Sequence, residues 1–190
     1  MSTAPQKHNP DRRLVLAATG LAALASTGSV LVHAAEAVRP LAFSTLEQAM
    51  EEVRSLSKGR SLKSQTAWTW AQTLVHAAQS IEYSMTGYPQ GKSVIFQRTL
   101  GAVAFAVFEW RGRMSHSLVE PIPGAPALDP ASDAAQALRR LESATAHFQA
   151  WTGALQPHFA YGALSKAAFE RAHAMHLADH LSAFHPSSVS

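Results

Sequence analysis

The run HAMHLADH, residues 173–180, constrains the fold of this 190-residue chain most strongly, because it places three histidines in an otherwise apolar segment. At 3.6 residues per turn, His176 and His180 lie one above the other on one helix face, and His173 lies on the same side one turn earlier. The apolar neighbours on this face predict that it points inward. Burying two imidazoles without partners is costly, and a shared divalent metal ion would satisfy both. The run therefore predicts a metal site on a buried helix, with a pair of hydrogen-bonded core histidines as the alternative.

Composition indicates one helical domain. The chain is rich in alanine, and only 15% of its residues are charged, which favours closely packed helices. Residues 1–37 hold three of the 16 basic and two of the 13 acidic residues, so a net charge of +2 remains for residues 38–190. This balance, without a basic stripe interleaved with aromatics, argues against a nucleic-acid partner. Because cysteine is absent, the protein supplies no thiolate ligand, disulfide or thiol nucleophile.

Residues 1–37 have the pattern of an export signal. The pair Arg12 and Arg13 precedes an uncharged, mostly apolar stretch at 14–32, and Ala-Glu-Ala at 35–37 offers a cleavage site. The paired arginines resemble a twin-arginine signal, although Val15 stands where such signals often have Phe. We therefore expect recognition by the twin-arginine export machinery, cleavage, and a periplasmic protein made of residues 38–190. The alternative is an uncleaved membrane anchor, since residues 14–32 nearly reach the ~20 residues that span a bilayer.

Five helices and one irregular crossover are predicted after residue 43. Their approximate ranges are 44–58, 64–86, 93–110, 132–155 and 165–185. Ser44 and Glu47 form a predicted capping box, Gly87 ends the second helix, and Ser165 caps the fifth. The third segment is apolar on both sides, so a buried strand is its alternative. Residues 112–129 contain PIPGAP and are too proline-rich for regular structure, so the predicted fold is an all-α bundle with one long crossover.

A third donor is needed, because a site with two histidines is weak. His76 lies in the middle of the second helix, but opposite its apolar stripe, so periodicity alone predicts that it is on the surface. The functional alternative is that this polar face lines a water-filled pocket, in which Gln72, Gln79 and Tyr83 contact the substrate or position the metal ligands. The other histidines are predicted to be on the surface: His116, His147, His158 and His185.

The chain resembles the DinB-like superfamily of metalloproteins, in an uncharacterised exported branch. The resemblance covers the mature chain and is carried by HAAQSIEYSMTGYP, PIPGAP, YGALS and HAMHLADHLSAF. It implies a four-helix bundle that binds a divalent metal through one histidine of the second helix and two of the last. In this sequence these are His76, His176 and His180, which leaves His173 as a pocket neighbour. Many relatives have Gln three residues after the last ligand, where this chain has Ala183.

Three neutral imidazoles leave coordination positions open, as in catalytic metal sites. We expect zinc or nickel, with iron possible, because nitrogen ligands select poorly among the later divalent metals. Two reactions fit: transfer of a small thiol, as the superfamily's thiol transferases suggest, or hydrolysis by a metal-activated water. No general base is evident, since Asp179 and Glu82 are predicted to point away from the ligand faces.

A non-catalytic periplasmic binding protein is the alternative. The substrate is not identified, a homodimer is possible, and the crossover at 121–126 is a lid, a packing strap or a dimer contact.

Overall fold

The computed structural model describes residues 38–58 and 61–187. The predicted signal, with Arg12 and Arg13, and its membrane-anchor alternative lie outside these residues. Among the residues that are described, no helix is both long and apolar enough to cross a membrane.

Within the described ranges the chain forms five helices and one two-stranded sheet. The helices are α1 (Leu46–Ser57), α2 (Trp70–Thr86), α3, α4 (Ala134–Ala150) and α5 (Lys166–Leu181), and the strands are β1 (Leu62–Ser64) and β2 (Phe184–Pro186). Helix α3 consists of an α-helical turn, a π-helical turn and a longer α-helix, with bounds Val94–Phe96, Gln97–Gly101 and Ala102–Arg111. The mostly helical prediction is confirmed, and the third segment is a helix rather than a strand.

The small sheet shortens two predicted helices. Strands β1 and β2 are antiparallel, with Leu62 opposite Pro186 and Ser64 opposite Phe184. The second helix therefore begins at residue 70 instead of 64, where Thr69 and Gln72 form the capping box. The fifth helix ends at 181 instead of 185. These helix boundaries depend on the pairing of two strands that are more than 100 residues apart in the sequence. Local sequence patterns do not predict such a pairing.

Two other helix ends differ from the prediction. Helix α1 is capped by Thr45, whose side chain accepts from the backbone N–H of Gln48, so the predicted Ser44 and Glu47 box is wrong by one residue. Helix α4 ends at 150 rather than 155. The Lys166 ammonium donates to the carbonyl oxygens of Gln149 and Trp151 at 2.7 Å each, which satisfies carbonyls that a longer helix would use. Ser165 caps α5, as predicted.

The main core lies between α1, α2, α4 and α5. Helix α2 packs against α4 and α5, and α1 packs against α5 and α4. The central side chains are fully buried, including Leu74, Ile81, Leu141, Phe148 and Phe169. Burial of each stabilises the fold by about 1.5–3 kcal/mol before entropy is counted. This packing brings the middle of α2 against the middle of α5.

Helix α3 belongs to a second, smaller apolar cluster. Phe105 packs with Met114, Ala172 and Met175, and so attaches α3 to one side of α5. Close approach is possible because residue 101 is glycine: a Cβ built there would lie 2.0 Å from the carbonyl oxygen of Ala160.

Candidate metal centre

Three histidines converge where α2 meets α5. His76 comes from α2, and His176 and His180 come from successive turns of α5. The Nε2 atoms of His76 and His176 are 3.1 Å apart, and one ring nitrogen from each of the three residues lies within 4.8 Å of the others. His76 and His180 are buried, at 3% and 2% exposure, whereas His176 is half-buried. The cluster therefore has a closed side and an open side.

The burial of His76 corrects the prediction made from periodicity. Its helix face carries several other buried polar residues: Gln72, Thr73, Gln79, Ser80 and Ser84. Helix α5 covers this face and brings its own histidines to it. Hydrophobic periodicity marked α2's apolar stripe correctly, but it could not show that the opposite face is also covered.

All three imidazoles are held neutral. Burial lowers the pKa of His76 to about 3, with a smaller contribution from the nearby His116. Burial also lowers the pKa of His176 and of His180 well below the ordinary histidine value, and the neighbouring histidines lower both further. A neutral imidazole keeps a lone pair on one ring nitrogen, which is the form that binds a metal.

The donor set fits a divalent metal ion. Metal–nitrogen bonds of about 2.0–2.1 Å place two ligand nitrogens on one ion roughly 3–3.5 Å apart, a range that includes the observed His76–His176 separation. In the described part of the chain, Nε2 of His180 is buried without a hydrogen-bond partner, and so is Nδ1 of His76. An orphaned buried nitrogen beside two others is what a bound cation would satisfy. These three histidines could hold a metal ion.

Trp68 closes one side of the cluster. Its ring stacks on His180 with a centroid distance of 5.8 Å and an interplanar angle of 7°, and it lies 4.9 Å from the ring of His76. Trp68 lies in an irregular segment between β1 and α2, although the sequence predicted a helix from residue 64. It shields the buried imidazoles from water.

His116 is exposed, as predicted, and its ring lies against His176 and His180. Its ring centroid is 5.2 Å from that of His176 and 5.1 Å from that of His180. Its Nδ1 donates to the carbonyl oxygen of Ser117 at 2.8 Å, which leaves Nε2 as the acceptor in the neutral ring. The side chain remains about one-third exposed. His116 follows α3 in the crossover, and only the tertiary structure places this loop over α5.

Asp179 holds His116 in place. The carboxylate oxygen Oδ2 of Asp179 accepts from the backbone N–H of His116 at 3.1 Å and lies 3.7 Å from its Nε2. Burial raises the pKa of the Asp179 carboxyl, and the His116 ring and backbone N–H oppose that rise. Asp179 is outside the group of three histidines and contacts His116, whose ring lies beside two of them. The pairing joins residues 63 positions apart, so sequence spacing could not indicate it.

His173 lies beside the site and outside the cluster of three. It is buried at 2% exposure between Phe148, which it meets edge-on at 5.2 Å, and Phe169, on which it stacks at 5.6 Å. Burial lowers its pKa to about 3. Its ring contributes to the wall of the adjoining cavity.

The other three residues predicted for the pocket lie elsewhere along α2. The Gln72 side chain caps the helix and donates to the carbonyl oxygen of Leu128 at 3.0 Å, which ties the crossover to α2. Gln79 is buried, and Tyr83 is half-buried with its ring 5.8 Å from that of Tyr88. None of the three lines the cavity described next.

A cavity of about 150 Å³ opens beside His76 and His176. Its remaining lining residues come from α2, the crossover, the loop before α5, and α5: Ser80, Met114, His116, Glu120, Pro121, Ile122, Pro123, His158, Phe159, Tyr161, Ala172 and His173. Residues 120–123 belong to the proline-rich crossover, and Ile122 is buried at 4% exposure. The crossover therefore forms a wall of the cavity.

His158 is part of this wall, although it was predicted to be on the surface. It is only 7% exposed and stacks on Tyr161 at 4.3 Å with an angle of 5°. Its Nδ1 accepts from the backbone N–H groups of Ala160 and Tyr161, so the proton of the neutral ring is on Nε2. Burial lowers its pKa to about 3. Of the other predicted surface histidines, His147 is exposed and His185 is half-buried in β2.

A family model described as "Protein of unknown function (DUF1569)" matches residues 35–187. The chain belongs to this family. DUF1569 proteins are DinB-like in fold, which agrees with the superfamily that the sequence resembles. No curated protein and no solved structure matches the chain.

Proposed function

We propose that this DUF1569 protein binds one divalent metal ion through His76, His176 and His180 and is a metal-dependent enzyme. One observation carries the proposal: three neutral imidazoles converge, and two of them line a cavity large enough for a small molecule. A structural site normally has four protein ligands, whereas a catalytic site has three and keeps a position open. Zinc or nickel is the expected metal, with iron as the next candidate, because the donors are all nitrogen.

The surroundings of the site include a candidate proton acceptor for either hydrolysis or thiol transfer. A divalent metal bound here would polarise a substrate and make a coordinated water or thiol more acidic. His116 stands beside His176 and His180 with Nε2 free to accept a proton, and the Asp179 carboxylate faces that same nitrogen. The same carboxylate accepts from the backbone N–H of His116 and so holds the residue in position. The pair supplies the proton acceptor that the sequence did not reveal.

We further propose that α1, α2, α4 and α5 are the four-helix bundle expected of a DinB-like protein, with α3 as the additional helix. Their mutual packing supports this assignment, since the main core lies between these four helices. Export through the twin-arginine machinery, a periplasmic location and a homodimer stay predictions from the sequence.

Metal analysis of protein purified without chelators tests the metal site. We expect about one equivalent of divalent metal, and loss of it in each of the variants His76→Ala, His176→Ala and His180→Ala. Changing a residue that only orients a ligand lowers metal affinity about 10–100-fold, so removal of a ligand should lower it more. The matched controls His173→Ala and His147→Ala should keep the metal. A metal that survives in His76→Ala but is lost in His173→Ala would overturn the assignment.

The cobalt(II)-substituted protein separates an enzyme from a non-catalytic binding protein. An open coordination position should bind azide, with a change in the visible spectrum of cobalt. A spectrum that azide leaves unchanged would show a closed shell and remove the catalytic proposal. If azide binds, His116→Gln should lower the rate of hydrolysis of an activated ester without lowering cobalt content.

A further inference from the structure

We propose that the cavity beside the metal centre receives a small uncharged molecule, which has an apolar body and binds the metal through one neutral donor atom. This inference rests on the proposed metal site and adds the class of ligand that the site accepts. Size, charge and wall chemistry support it separately.

The size of the cavity limits the ligand to a few heavy atoms beyond the metal donor. Its volume is about 150 Å³. An engineered protein cavity of about that volume binds benzene. A ligand of one ring, or a short branched chain, fills such a space, whereas a nucleotide or a peptide does not.

The charge of the cavity disfavours ligands that carry an anionic group away from the metal. Among its lining residues as described, there is no lysine or arginine, and the one charged side chain is the carboxylate of Glu120. His158 and His173 are buried, at 7% and 2% exposure, and burial lowers the pKa of both to about 3, so these two residues supply no positive charge. An anionic substituent pointing away from the metal would lose its hydration and meet Glu120, with no cationic side chain in the cavity wall to compensate.

The walls match an apolar body. Ile122 and Ala172 are buried at 4% exposure and Met114 at 7%, and the rings of Phe159 and Tyr161 complete this side. Burial raises the pKa of the Tyr161 phenol to about 12, so this ring also remains neutral. An aromatic ring in the cavity would contact sulfur and aromatic faces, which both favour it.

A matched pair of ligands tests the proposal on the cobalt(II)-substituted protein. The compounds 3-methylpyridine and pyridine-3-carboxylate have the same donor nitrogen and nearly the same size, and only the second carries a charge away from the metal. Each affinity is divided by that ligand's affinity for aqueous cobalt(II). We expect 3-methylpyridine to bind at least about 10-fold more tightly, which corresponds to about 1.4 kcal/mol. Equal or tighter binding of the carboxylate would overturn the inference.

Azide distinguishes the two levels of failure. If azide does not bind, the open metal site is absent and the proposed function fails. If azide binds and neither the methyl compound nor its carboxylate analogue does, the metal site stands and the ligand class is wrong.

Two variants test the size and charge arguments. Ala172→Leu fills the cavity and should weaken the binding of 3-methylpyridine at least about 10-fold, with cobalt content and azide affinity unchanged. Ala146→Leu, at an exposed position of α4, is the control.

Glu120→Lys changes an exposed residue, so this variant should fold even if Ala172→Leu does not. It should tighten pyridine-3-carboxylate several-fold and leave 3-methylpyridine unchanged. An unchanged ratio of the two ligands in Glu120→Lys would contradict the charge argument.

Discussion

Helices α2 and α3 depart from the usual amphipathic pattern in opposite ways. Helix α2 buries polar side chains, among them His76 and Gln79, each at 3% exposure. Helix α3 instead exposes large apolar ones, with Leu100 at 67%, Val103 at 64% and Trp110 at 86% exposure. A helix with a polar face normally turns that face to water. Here the polar face is inside and the apolar face is outside.

The difference shows that composition of a face does not decide whether the face is covered. Helix α5 covers the polar face of α2, and the histidines of both helices then share one site. Helix α3 is attached by Phe105 on one face and by the pair formed by Glu109 and Arg171. That attachment leaves its second apolar face in contact with solvent in the single chain. We expect the two helices to respond very differently to acid and to substitution.

Acid should have the largest effect on stability, and it should act on the α2 and α5 side. His173 and His158 have pKa values lowered to about 3 in the folded protein, against 6.5 for an ordinary histidine. Because the folded pKa is depressed, the full stability is present above pH 6.5 and is lost as pH falls towards 3. For each pH unit by which the pH falls within that window, each such histidine lowers the free energy of unfolding by about 1.4 kcal/mol. Denaturant unfolding of metal-free protein between pH 7.5 and 5 measures this.

The variant His173→Phe should reduce the dependence of the free energy of unfolding on pH by the contribution of one histidine, about 1.4 kcal/mol per pH unit. His147→Phe, which changes an exposed histidine of α4, is the matched comparison. An equal slope in the parent protein and in His173→Phe would show that His173 does not contribute through its neutral buried state.

The apolar stripe of α2 should be the next most sensitive feature. Leu74 is fully buried in the main core, so Leu74→Ala removes packing and leaves a cavity. The expected loss is about 2–5 kcal/mol in the free energy of unfolding. Denaturant titration at pH 7.5 checks it, and a loss below about 1 kcal/mol would show that this side of α2 is not packed as described.

Gly101→Ala tests how closely α3 approaches the rest of the chain. The added methyl group would meet the carbonyl oxygen of Ala160 at 2.0 Å, so the backbone must move. We expect a loss of about 1–3 kcal/mol. Gly91→Ala is the control, since its nearest neighbour is the flexible side chain of Gln97 at 3.3 Å. Equal midpoints for the two variants in thermal unfolding would contradict the close approach.

The exposed side of α3 should be the least sensitive to substitution. Val103→Ser changes a residue that is 64% exposed, and surface substitutions usually change stability by no more than about 0.5 kcal/mol. Thermal unfolding at low protein concentration checks this. A loss as large as that of Leu74→Ala would mean that Val103 is buried against another part of the protein or a second molecule.

Much of the local structure followed from sequence patterns, because those patterns act within a few residues. The approximate positions of all five helices in the described chain, the Ser165 cap and the shared face of His176 and His180 were predicted correctly. The resemblance to DinB-like proteins, and not periodicity, placed His76 with the other two histidines. The errors concern the start of α1, the start of α2 and the ends of α4 and α5. A competing cap at Thr45 sets the first, the pairing of β1 with β2 sets the boundaries of α2 and α5, and Lys166 binds the carbonyl groups at the end of α4.

The sequence by itself therefore determined which segments are helical and that one of them carries a pair of histidines on one face. Only the tertiary structure decided which helix faces are covered and what surrounds the three clustered histidines. The hydrogen bond between Asp179 and His116 joins residues 63 positions apart in the sequence, and the contact between His76 and His176 joins residues 100 positions apart. The walls formed by Trp68, residues 120–123 and His158 come from irregular segments, whose positions are set by distant contacts. A periodic pattern records the geometry of one helix, whereas a site at the junction of several segments depends on how they pack.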